Sequence, residues 1–252
     1  MVVDYELDQS IARVYLNRPH RLNAVVPELT EGLVAALKRA EQDGARVVVL
    51  AGRGRAFCSG HDLKEPVAVE PALVTRRRVD VIQDVTRAIR RFSGPVIAAV
   101  HGYALGAGCE FALGCDLVVA GEDAWFGFPE VSVGLSVTGG ISRLLPLLVG
   151  PMRAKELVLL GERFDAAAAR EMGLVNRVVP AGEHEIVAAE LAGRLRDLPP
   201  LALTLAKQVL DRGIDSALEE AMATETDFAA LTVAPSVVAV AAGFTSCESR
   251  EC

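Results

Sequence analysis

Hydrophobic residues in this chain change their spacing several times, and each change marks an element. Along 2–7 and 10–16 apolar and polar positions alternate, the period-two pattern of strands with one face turned inward. From 27 to 43 the apolar positions recur every three or four residues, which predicts an amphipathic helix. RVVVLAG at 46–52 is apolar after its first residue and stops at a glycine turn, as a strand buried on both faces does. A second round repeats the order. Helical spacing covers 72–92, PVIAAVHG at 95–102 supplies a buried strand, GAGCEFALG at 106–114 opens a short helix, and DLVVAG at 116–121 gives a third buried strand. Beyond about 138 helical spacing dominates, and Pro199-Pro200 predicts a change of direction before helices at 201–212 and 215–231. The expected architecture is an α/β body over 1–195 followed by a helical C-terminal extension over 196–252. The extension's apolar positions, Leu201, Leu205, Val209, Leu218 and Met222, have little core of their own, so they are expected to pack on the body or on another subunit.

Composition narrows the classes. At 252 residues the chain can bury a substantial core, and although half of it is hydrophobic, no apolar run reaches the roughly 18–20 residues of a membrane span. The N-terminal segment alternates like a strand and carries Asp4, Glu6 and Asp8, unlike a secretory leader, so a cytoplasmic protein is expected. Five cysteines form no CxxC pair, and the four histidines have no metal-ligand spacing; reduced thiols and no metal are the expectation. A net charge of −7, with no basic stripe, argues against nucleic acid as a partner. Most of that charge sits in 213–252, where Arg250 stands against seven acidic residues.

Chemistry concentrates in three segments. In GYALGAGCEFALG, Gly106 and Gly108 let backbone approach a ligand, and the helix that opens there presents N–H groups without internal partners. Glu110 sits in its first turn, either to complement the helix dipole or, among the apolar Cys109, Phe111, Ala112 and Leu113, to do chemistry. In AFCSGHDLKE, Gly60 can set the N–H of His61 beside a pocket, with the backbone rather than the imidazole expected to act. Ser59, His61 and Asp62 do not make a hydrolase triad, because the strained GxSxG turn is missing. In FGFPEVSVGL, Glu130 follows Pro129 in a loop. It is either a solvated carboxylate or, given Phe126, Phe128, Val131 and Val133 around it, a second catalytic acid. The glycines at 106 and 108 do not complete GxGxxG, so no nicotinamide or flavin is expected. Two carboxyl groups can divide acid and base work, and two backbone donors can hold an oxygen that becomes negative, which together suit a carbonyl compound.

With these residues in view, the chain resembles the crotonase family, the enoyl-CoA hydratase/isomerase superfamily. RPHRLNAV at 18–25, AFCSGHDLKE at 56–65, PVIAAVHGYALGAGCEFALGCDLVVAG at 95–121, FGFPEVSVGL at 126–135 and ERFDAAAAREMGLVNRVVP at 162–180 follow its pattern in order, over about 1–215. The resemblance implies a spiral of ββα turns followed by a helical C-terminal region that assembles trimers or hexamers. It implies that the N–H groups of His61 and Ala107 form the oxyanion hole for a thioester carbonyl, and that Glu110 and Glu130 are the two catalytic glutamates of a hydratase. Arg21, Leu22, Ala24, Ala56, Asp62, Leu63 and Lys64 would line the acyl-CoA, and coenzyme A would enter as part of the substrate, with no separate cofactor. The implied activity is hydration of a 2-trans-enoyl-CoA in fatty acid metabolism. A 3-enoyl-CoA to 2-enoyl-CoA isomerase and a non-catalytic acyl-CoA-binding homologue are the competing readings. Two stretches depart from the pattern. GLSVTGGISRL at 134–144 is one residue shorter than GLxPGxGGTxRL and lacks its proline, which predicts an altered wall beside Glu130. AVAAGFTSCESREC at 239–252 replaces an apolar helix ending in Lys or Arg.

Overall fold

A computed structural model describes residues 1–64 and 71–214, with Ser216, Glu220, Met222 and Thr226 beyond them. Two strands open the chain, β1 (Val3–Asp8) and β2 (Ile11–Leu16), followed by helix α1 (Pro27–Gln42), strand β3 (Val47–Gly52) and helix α2 (Ala72–Arg91). Next come β4 (Val96–Val100), β5 (Tyr103–Leu105), α3 (Ala107–Leu113), β6 (Leu117–Gly121) and β7 (Trp125–Gly127). A 3-10 turn at Pro129–Val133 leads to α4 (Ile141–Val149), α5 (Pro151–Leu160), β8 (Phe164–Asp165), α6 (Ala166–Glu171), β9 (Arg177–Val179), α7 (His184–Arg196) and α8 (Pro200–Gly213). The chain divides into two compact units, Met1–Asp197 and Leu198–Cys252. The expected helix at 215–231 with Leu218, and the atypical segment 239–252, fall outside the continuously described residues.

Six strands form one sheet in the order β1-β2-β3-β4-β6-β9, antiparallel between β1 and β2 and parallel thereafter. The strand period of two sorts its residues cleanly. Ala12, Val14, Leu16, Val48, Leu50, Val96, Ala98, Val100, Val118 and Ala120 enter the larger core, where Leu29, Leu33 and Leu37 of α1, Val85 and Ile89 of α2 and Phe111 of α3 meet them. Ile11, Tyr15, Val47, Val49, Ala51, Ile97, Ala99 and Val119 enter the opposite core, covered by Ala188, Leu191 and Ala192 of α7. Burial on both faces is why these strands read as continuous apolar runs.

Strands β5, β7 and β8 make a second, smaller sheet, parallel between β5 and β7 and antiparallel between β7 and β8. Its strands hold two or three residues each, too short to impose a period on the sequence, so they and β9 escape a reading by pattern. This small sheet sets the site. A bridge between Cys58 and Ala104 ties the 56–63 loop to β5, and β5 runs through Gly106 straight into α3. Among the described residues, no helix is long and apolar enough to cross a membrane, and no cluster of three His, Cys, Asp or Glu could hold a metal ion.

Candidate active site

Two glycine turns touch, and the residue after each offers an amide. Gly60 has φ +87°, and a Cβ there would stand 2.7 Å from the Leu105 carbonyl oxygen; one on Gly106, at φ +54°, would stand 3.7 Å from Gly60 Cα. Only glycine fits such backbone-on-backbone contact in the left-handed region. His61 pairs with Val25 in a parallel bridge whose bonds run from Val25 N–H to Gly60 O (2.8 Å) and from Asp62 N–H to Val25 O (3.0 Å). The N–H of His61, between them, therefore points to the other side. Ala107 is the first residue of α3, so its N–H has no partner one turn back in the helix. Two free-facing amides on adjoining turns can hold an oxygen that gains negative charge. The His61 ring is held below its ordinary range by burial and by the charge of Arg78, so it is neutral at pH 7 and adds no cation of its own.

Both glutamates are inside. Glu110 is 1% exposed and Glu130 7%, which removes the solvated-surface alternative for Glu130. Their surroundings differ. The backbone N–H of Thr138 donates to Glu110 Oε1 at 2.5 Å, and the Thr138 hydroxyl donates to Oε2 at 2.5 Å, so both oxygens are engaged. Glu130 Oε1 lies against the Gly106 turn, 2.8 Å from where a Cβ would be, while Oε2 is buried without a hydrogen bond among the described residues. Burial pushes the Glu130 carboxyl up to about 7, opposed by a hydrogen bond from its own backbone N–H and helped by the negative charge of Glu110. Burial also raises Glu110, but the two Thr138 bonds oppose it. Both carboxyls are thus raised by burial but differently bonded, Glu110 at both oxygens and Glu130 with one oxygen bare. Cys58 and Cys109 lie close by as buried thiols, and burial pushes Cys58 up to about 12, so neither is a thiolate nucleophile at neutral pH.

The other sequence-derived site residues divide. Arg21, Leu63 and Lys64 are exposed near the turns, and Leu22 is half-buried at φ +52°. Ala24, Ala56 and Asp62 face inward, and all three are engaged within the protein. Asp62 accepts from Arg18 Nη2 at 3.2 Å and from the Lys64 N–H at 3.2 Å, the Ala24 carbonyl receives Arg18 Nη1, and the Ala56 carbonyl receives Asn23 Nδ2 at 2.8 Å. Through these bonds Asp62 braces the loop. The bond to Lys64 and the Arg18 charge hold its carboxyl below the usual range despite burial. Arg18 and Asn23 are the residues that pattern reading missed. Asn23 is fully buried at φ +55°, takes the Arg18 N–H on its side-chain oxygen and donates to the carbonyls of Arg53 and Ala56. The only sequence signal was their place inside RPHRLNAV. The shortened 134–144 segment adjoins both glutamates: Thr138 bonds the Glu110 carboxyl, and the Leu135 N–H donates to Glu130 O at 2.8 Å.

The chain as a whole has counterparts among known proteins. A sequence model described as Enoyl-CoA hydratase/isomerase matches residues 6–247. The chain belongs to that family. Within the enoyl-CoA hydratase/isomerase family, the 2,3-dehydroadipyl-CoA hydratase of Escherichia coli is 38% identical over 227 residues, covering 90% of this chain and 88% of the relative. The short-chain-enoyl-CoA hydratase of Clostridium acetobutylicum is 34% identical over 225 residues, with 88% and 85% covered. The crystal structure of an enoyl-CoA hydratase from Mycobacterium smegmatis superposes with a TM-score of 0.91 at 32% identity, over 98% of this chain and 96% of that one. The ββα spiral is thus the crotonase fold of this family.

Proposed function

We propose that the protein is an enoyl-CoA hydratase that adds water, reversibly and on one face, across the double bond beside the thioester of a 2-trans-enoyl-CoA. The observation that carries this reading is the asymmetry of the two buried carboxyls. Glu110 has both oxygens hydrogen-bonded, whereas Glu130 has a bare buried oxygen. A base and an acid in one pocket are what hydration needs. The thioester oxygen accepts from the amides of His61 and Ala107, which draws electrons from the β-carbon. Glu110 takes a proton from water as the water oxygen bonds to that carbon. The electron pair of the double bond moves into an enolate held by the two amides, and Glu130 then releases its proton to the α-carbon. The product is a 3-hydroxyacyl-CoA. Glu110 ends protonated and Glu130 ionised, so the reverse reaction finds its own acid and base already in place. Coenzyme A arrives on the substrate, and this route calls for no further cofactor.

An isomerase moving the double bond between the 3 and 2 positions needs the same amides but only one carboxyl to carry the proton. A passive acyl-CoA binder needs neither. Burying two carboxyls costs stability that neither alternative recovers, which favours hydration. Turnover of a 2-enoyl-CoA in water labelled with oxygen-18 separates these readings. Hydration places the label on the β-carbon; an unlabelled product, or no product across short, branched and aromatic acyl groups, overturns it. We also infer that the chain self-associates, supported by the exposed Leu147, Leu148, Met152, Leu159 and Leu160 of α4 and α5.

A further inference from the structure

Glu110 is gripped by a residue from outside the two glycine turns. Thr138 reaches it across 28 positions of sequence and meets both carboxylate oxygens, one through the backbone N–H and one through the hydroxyl, each at 2.5 Å. The next residue presses the segment onto the same carboxyl: Gly139 has φ +60°, and a Cβ there would stand 2.8 Å from Glu110 Cβ and 3.2 Å from Oε2. The far side is fixed too. The Thr138 carbonyl accepts from the N–H of Ile141, the buried first residue of α4, at 3.0 Å. The clamp is thus part of a built turn, and the second carboxyl has no counterpart to it: Glu130 Oε2 makes no hydrogen bond among the described residues.

We propose that Thr138 is a positioning residue that assigns the two glutamates their roles, fixing Glu110 as the ionised, oriented base by donating to both of its oxygens. The inference rests on the hydratase reading above. A carboxylate offers about four lone-pair directions. Thr138 takes two of them, and the remaining pair is left to receive the attacking water in one defined orientation, which is the entropic part of the catalytic task. A protonated Glu110 would lose this fit, because a carboxyl O–H competes with the Thr138 hydroxyl for the same contact. The titratable groups that sense Glu110 are Glu130, Cys109 and Cys58. Burial raises both thiols well out of the neutral range, which leaves Glu130 as the carboxyl that senses it.

Thr138→Val keeps the shape and the backbone bond but deletes the hydroxyl, and Thr138→Ser restores it. The acid limb of the pH profile of kcat/KM is expected to move up by about one to two pH units in Thr138→Val, the worth of one hydrogen bond to a charged group. The kcat at neutral pH should fall with KM little changed, and Thr138→Ser should return both toward wild type. The same titration is read without turnover from the carboxyl signal of Glu110 in protein carrying carbon-13 glutamate, where Thr138→Val should shift it upward. A wild-type protein that hydrates but whose Glu110 titration does not move in Thr138→Val overturns the role of Thr138 alone. Equal losses in the Val and Ser variants, with no shift in the acid limb, also overturn it. Absence of hydration in wild type overturns the proposed activity, and the carbon-13 titration still decides whether Thr138 holds Glu110 ionised.

Discussion

Glu130 turns its surroundings into a pH dependence whose sign can be worked out. Its carboxyl is raised from the ordinary 4.5 to about 7 in the folded protein. A group raised on folding contributes stability that is complete below its unfolded value and is lost as pH climbs through its folded value. Wild type should therefore lose stability relative to Glu130→Gln, which cannot ionise, as pH rises from about 4.5 through about 7, with little further change above. Paired thermal or denaturant unfolding across that window checks it, and a difference independent of pH contradicts the buried, proton-holding Glu130. At this scale the sequence was informative where a residue's own neighbours betrayed it. Glu110 and Glu130 stood among apolar flanks, and a carboxylate placed there needs a partner or a task. Thr138, Arg18 and Asn23 could not be found that way, because each acts on a residue distant in sequence or on a backbone carbonyl that any residue would supply.

Elements were legible in proportion to their length. The helix expected over 27–43 is α1 at Pro27–Gln42, and the runs at 46–52, 95–102 and 116–121 contain β3, β4 and β6. Their periods are long enough to count, and burial on both faces of the sheet left no polar interruption. What pattern reading could not supply was the small sheet of β5, β7 and β8, which seats the Gly106 turn. Elements also suggest how copies meet. Leu147 and Leu148 of α4, and Met152, Leu159 and Leu160 of α5, are exposed, as are Val131 and Val133 on the adjoining 3-10 turn. Large exposed apolar patches on soluble proteins often mark protein–protein contact. A second copy of the chain is the expected occupant, in a closed symmetric assembly. Sedimentation velocity should show an oligomer that Leu148→Glu with Leu159→Glu shifts toward monomer; a wild-type monomer at micromolar concentration contradicts it.

At the level of the whole molecule, four distant stretches of chain meet at one place. The 56–63 loop brings the amide of His61, the β5–α3 junction brings Ala107 and Glu110, the 3-10 turn brings Glu130, and the 134–144 segment brings Thr138. Parallel strands need long crossovers, and those crossovers are what deliver residues from so far apart to the same end of the sheet. The order of motifs along the sequence made the family legible, but their convergence depends on contacts such as Gly60 against Gly106 that no local pattern encodes. The central claim is that Glu110 accepts the proton of the attacking water while Glu130 delivers another to the α-carbon, and turnover of the two single alanine variants tests it most directly. Followed as loss of enone absorbance with a 2-enoyl-CoA, hydration by Glu110→Ala and by Glu130→Ala should each fall by about 10²–10⁴ while thioester binding is retained. Two folded variants that hydrate at the wild-type rate contradict the account.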